Sequence, residues 1–123
     1  MIPVNWAFGW LWVLMGFVSG AVIGVRFHSE EFLGGYASLR RRLVRLGHIC
    51  FIALGALNLF FALSPLKAGS FVAIASITWI AGAVLMPAVC FLSAWRERFR
   101  ALFFLPVLSL IAAGVLTLLG GLL

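Results

Sequence analysis

Charge is what this chain has least of. Only 10% of its 123 residues are Asp, Glu, Lys or Arg, against about 25% in an ordinary soluble domain. A soluble chain of this length needs far more polar surface to cover a core. The acidic complement is three glutamates, Glu30, Glu31 and Glu97, and none lies inside an apolar run. Proton-coupled transport therefore lacks its usual membrane-embedded relay. Cysteine is scarce as well: Cys50 and Cys90 are the only two, and no CxxC pair marks thiol–disulfide exchange. The first apolar run carries neither a basic leader nor an A-x-A site, so it reads as a retained span and not a signal peptide. No internal repeat of about 20–50 residues is visible.

What the chain has is hydrocarbon. Hydrophobic residues make up 65% of it, gathered into runs long enough to cross a bilayer. These predict an all-α, polytopic integral membrane protein: one domain, 1–123, with four transmembrane helices in an up-down bundle. The expected spans are about 4–25, 48–64, 70–93 and 101–122. Span two should begin earlier as an amphipathic interfacial extension from Ser38, with Leu39, Leu43 and Leu46 on one face. Ser38 suits an N-cap, and Gly34-Gly35 before it suits a bend. Ser64–Gly69 reads as the tight turn between spans two and three. Pro87, inside span three, should free the carbonyl of Ala83 and kink the helix. Trp6, Trp10 and Trp12 suit an interfacial aromatic belt.

The basic residues set the threading. Arg26, Arg40, Arg41, Arg42 and Arg45 fall in the first loop, Arg96, Arg98 and Arg100 in the third, and only Lys67 in the second. Positive-inside asymmetry then places 26–47 and 94–100 in the cytoplasm and both termini outside a bacterial-type inner membrane. The net charge of +6, lying beside apolar spans, points to anionic lipid headgroups and not to nucleic acid. Arg40, Arg41, Arg42, Arg45, Arg96, Arg98 and Arg100 are the expected headgroup contacts.

Four further sets of residues are candidates for function. Gly16, Gly20 and Gly24 form a GxxxGxxxG stripe, which lets another helix approach closely. That helix belongs to a partner subunit, to a second copy, or to the same chain. His28 and His48 close the cytoplasmic ends of spans one and two, where two imidazoles at similar depth could ligate a b-type haem. Asn58, Ser76, Thr78 and Ser109 form an expected midplane polar layer, either a permeation site or interhelical glue. Cys50 lies only two positions from His48, about 200° around a helix, so the two cannot easily share a metal. Buried free cysteine behaves as a small apolar residue.

In length, in a glycine-rich first span ending near Arg26 and in Asn58 of span two, the chain resembles the fluoride channels. Their glycine-, threonine- and phenylalanine-rich break in span three has no counterpart in 70–93. Small multidrug-resistance transporters carry a glutamate in their first helix, and this first span has none. No family is assigned on these residues. The expectation is a non-catalytic membrane subunit or scaffold without a bound cofactor. It would pack against other membrane subunits or a second copy through the glycine stripe, and against anionic lipid through its arginine loops. The alternatives are a haem-carrying electron-transfer subunit using His28 and His48, or a small channel or transporter using the Asn58 layer.

Overall fold

The structure, a computed structural model, describes residues 2–123. Helix α1 runs Pro3–Arg26, α2 Leu39–Leu63, α3 Ser70–Trp95 and α4 Phe104–Leu122. Short 3-10 turns at Phe32–Gly34 and Glu97–Phe103 lead into α2 and α4, and no strand occurs among the described residues. Four helices among the described residues are long and apolar enough to cross a membrane, the last counted from Glu97.

The helix ends follow local chemistry. Pro3 opens α1, where its missing N–H costs nothing. Ser38 caps α2, its hydroxyl accepting from the backbone N–H of Arg41 at 3.1 Å and donating to the Leu33 carbonyl at 2.6 Å. Leu33, Gly34 and Gly35 all have positive φ, at 56°, 87° and 94°. Two glycines let the chain double back there without a Cβ penalty. Ser64 ends α2 in an extended conformation, as a residue before proline prefers.

The helices pack antiparallel, each on the next. Along α1 and α2, Gly9 meets Leu59, Gly16 meets Ile52, and Gly20 meets His48. Along α2 and α3, Asn58 reaches the Trp79 carbonyl while Gly47 meets Phe91. Along α3 and α4, Gly82 meets Leu110 and Gly120 meets Val72. Contacts between α1 and α3 are few, and α4 has no comparable contact with α1 or α2. The up-down order therefore forms an open row with α2 and α3 at its centre.

That arrangement divides the side chains. Helix α1 buries only Asn5, Gly9 and Gly16, and α4 only Pro106 and Ala113. Many of their large apolar residues, Trp10, Phe17, Leu108 and Leu118 among them, are more than half exposed. So broad an apolar surface suits hydrocarbon and not water. Helix α3 stays continuous through the buried Pro87. The Ala83 carbonyl that the proline deprives of its helical donor accepts instead from the Trp12 indole N–H of α1 at 2.8 Å.

Candidate functional site

Polar chemistry concentrates at the two ends of the row. At the end bearing the Ser64–Gly69 turn, α1, α2 and α3 meet around Asn5, Asn58 and Ser76. The Asn5 amide donates to Asn58 Oδ1 at 2.8 Å and to the Ser76 carbonyl at 3.3 Å, while the Ser76 hydroxyl donates to Asn5 Oδ1. The Asn58 amide donates to the Leu54 carbonyl at 2.9 Å and toward the Trp79 carbonyl at 3.5 Å. Both asparagines are 0% exposed. A saturated and sealed cluster of this kind holds helices together.

Asn58 stands five residues from the end of α2, about 8 Å along the axis, and Asn5 lies in the first turn of α1. The cluster therefore sits toward one end of the row. Thr78 takes no part in it: its hydroxyl turns back onto the Ile74 and Ala75 carbonyls. Ser109 donates to the Thr78 carbonyl at 2.9 Å, joining α4 to α3. The expected single layer of Asn58, Ser76, Thr78 and Ser109 is thus two separate contacts. A cleft of about 500 Å³ opens beside the first, between Ile2, Ser64, Leu66 and Val72, and no titratable side chain lines it.

The opposite end carries the arginines, and two of them are committed to the fold. Arg41 is 0% exposed. Its guanidinium donates to the carbonyls of Phe27 at 2.8 Å, Ser29 at 3.2 Å and Glu30 at 3.3 Å. It also lies over the rings of Phe27 and Tyr36, at 4.2 and 4.4 Å. Arg40 donates to the last carbonyls of α3, Ala94 at 2.8 Å and Trp95 at 3.3 Å. Adjacent residues on the first turn of α2 thus close the C-termini of both neighbouring helices, where cations are favoured. Arg41 is therefore not a headgroup contact, and Arg40 is engaged at α3. In the run Arg40-Arg41-Arg42 nothing local distinguishes these two from their neighbour; only the helix directions around α2 separate them. The Arg41 Nε and the buried Ser93 hydroxyl have no hydrogen-bond partner.

Arg42, Arg96, Arg98 and Arg100 remain exposed and Arg45 half-buried at this end. Three lie along aromatic faces: Arg45 over Tyr36, Arg96 over Trp95 and Arg98 over Phe99. Each guanidinium rests against a ring, and an aromatic face attracts a cation at an interface.

The glycine stripe is turned inward. A Cβ on Gly20 would lie 2.6 Å from His48 Cε1, and one on Gly16 would collide with the Ile52 side chain, whereas Gly24 faces open space. The close-packed set is Gly9, Gly16 and Gly20, with Gly9 and Gly55 crossing so tightly that a Cβ on either would lie within 3.0 Å of the other's carbonyl. Docking of a partner through Gly16, Gly20 and Gly24 is accordingly replaced by docking of α2. Asn5 belongs to the same stripe. Its spacing of four, seven and four residues through Gly9, Gly16 and Gly20 is a readable signal for one helix face.

His48 fills the groove over Gly20, and its Nδ1 lies 3.0 Å from the Ser19 hydroxyl. The Ser19 hydroxyl also lies 3.0 Å from the Gly16 carbonyl of its own helix. Nε2 faces Gly20 as well, 3.1 Å from where a Cβ would stand. His28 is exposed beyond the end of α1. The fit that two axial histidines require is not made by this pair: one ring is wedged between helices and the other lies in the loop. Among the described residues no group of three or more His, Cys, Asp or Glu is placed to hold a metal ion. The chain matches no known protein family, no curated protein and no solved structure.

Proposed function

We propose that this protein is a small, non-catalytic subunit or scaffold of a bacterial-type inner membrane. The arginine end faces the cytoplasm and both termini face outward. Its arginines hold anionic lipid, and the outward faces of α1 and α4 meet other membrane subunits or a second copy. The supporting observation is the division of the arginines. Arg40 and Arg41 cap helices, which leaves Arg42, Arg45, Arg96, Arg98 and Arg100 at one end without such a duty. Each charge near an anionic surface contributes about 1 kcal/mol, so five together give a strong preference for such lipid. A non-catalytic reading suits a molecule in which three of the buried polar side chains, Asn5, Asn58 and Arg41, are engaged by other parts of the chain.

Lipid retention tests this reading. Protein placed in bilayers of mixed phosphatidylglycerol and phosphatidylcholine and then extracted mildly should retain phosphatidylglycerol several-fold above its bulk share. The triple variant Arg96→Gln, Arg98→Gln, Arg100→Gln should lose most of that enrichment. Equal retention of both lipids by the unaltered protein would refute the proposed contact.

A further inference from the structure

Two residues with reactive chemistry lie outside everything above. The packing of Gly47 against Phe91, and of the Phe51 and Phe91 rings at 6.0 Å between centroids, brings Cys50 and Cys90 to one stretch of the α2–α3 interface. There the two thiols stand near enough to act on each other. Both cysteines are free, Cys50 half-buried and Cys90 fully buried. His48, two residues from Cys50, faces α1 instead, so no imidazole joins the pair. Two thiolates around a soft monovalent cation would leave a net negative charge among apolar side chains, which is unfavourable. A disulfide is neutral and suits the same surroundings.

We infer that Cys50 and Cys90 form an oxidisable dithiol, in which a lipid-soluble hydroperoxide acts on Cys50 and Cys90 completes an intrachain disulfide. Cys50 is the more accessible sulfur, and a sensing cysteine is commonly set beside a resolving one. The Cys50 sulfur takes the terminal oxygen of the hydroperoxide. The O–O bond breaks and the alcohol leaves with one proton, so Cys50 becomes a sulfenic acid. The Cys90 sulfur then attacks the sulfenic sulfur, the S–S bond forms and water departs. Two electrons pass from the two sulfurs to one hydroperoxide. In a reducing compartment the pair rests as thiols, and such disulfides are transient and sensing. The bond would tie α2 to α3 near the arginine end, opposite their connecting turn at Ser64–Gly69.

Lys67 is the only lysine and lies between the two cysteines, so lysyl endopeptidase divides the chain into 1–67 and 68–123. Folded protein in membranes is treated with cumene hydroperoxide, blocked with maleimide, denatured and cut. The halves should migrate together without reductant and separate after dithiothreitol. In Cys90→Ala, which keeps the buried site apolar, the halves should separate and dimedone should mark Cys50. Separate halves from the oxidised wild type, or a link found only between two chains, would overturn the inference. The wild-type measurement stands even if the variant fails to fold.

Discussion

An asparagine in an apolar helix is tolerable only when each of its polar atoms has a partner. Asn5 and Asn58 meet that condition largely through each other. Asn58 could be read as interhelical glue from its position inside an apolar span. Its partner was harder to read, because Asn5 sits close to a helix start, where a polar residue attracts no notice. The reciprocity has a measurable consequence. Replacing Asn5 with Leu leaves Asn58 Oδ1 and the Ser76 hydroxyl without their partner. Unfolding in a denaturing detergent titration should then require about 1–2 kcal/mol less. Asn58→Leu should cost a similar amount. Since each substitution removes the same central bond, the double variant should lose clearly less than the sum, by about 0.5 kcal/mol or more. Strict additivity would show that the two side chains act independently.

At the scale of elements, the helices are joined by what they omit. Helix α1 brings Gly9, Gly16 and Gly20 against α2, and the space is filled by Leu59, Ile52 and His48 from the other side. A glycine stripe could be recognised from spacing alone, but the identity of the helix it receives could not, because the same surface fits any close-packed neighbour. Arg40 and Arg41 show the same limit. Three consecutive arginines oppose the dipole at the start of α2, and that cost is offset only once the C-termini of α1 and α3 stand beside them. The glycine contact distinguishes positions sharply. Gly16→Val should lower the thermal midpoint in mild detergent by several degrees, since Ile52 and its backbone N–H block the added carbons. Gly24→Val meets open space and should leave the midpoint within about a degree or raise it, valine being the better helix former. Equal losses at both positions would mean that α1 does not dock through this face.

For the whole molecule, the helices and their order were legible because apolar length, caps and proline positions act locally, and connectors as short as Ser64–Gly69 force antiparallel neighbours. The openness of the row was not. It depends on α4 finding α3 and not α1, a choice made by particular fits such as Leu110 over Gly82 and the Trp79 indole on Thr117, at 2.9 Å. Direction across a membrane is set by neither packing nor capping, and it rests on where charge is tolerated during insertion. Eight arginines gather toward one end of the chain's helices, while Lys67 occupies the turn at the other. Lys67 is therefore a natural reporter. Spheroplasts expressing the protein, exposed to an impermeant sulfonated succinimidyl ester and then lysed, should yield a chain acylated at Lys67 and resistant to lysyl endopeptidase. The same reagent added after lysis should protect it equally. A chain labelled only after lysis, and cut into two fragments when treated intact, would place Lys67 inside. The arginines would then face outward, away from the anionic inner leaflet, and the proposed lipid contact would lose its physical basis.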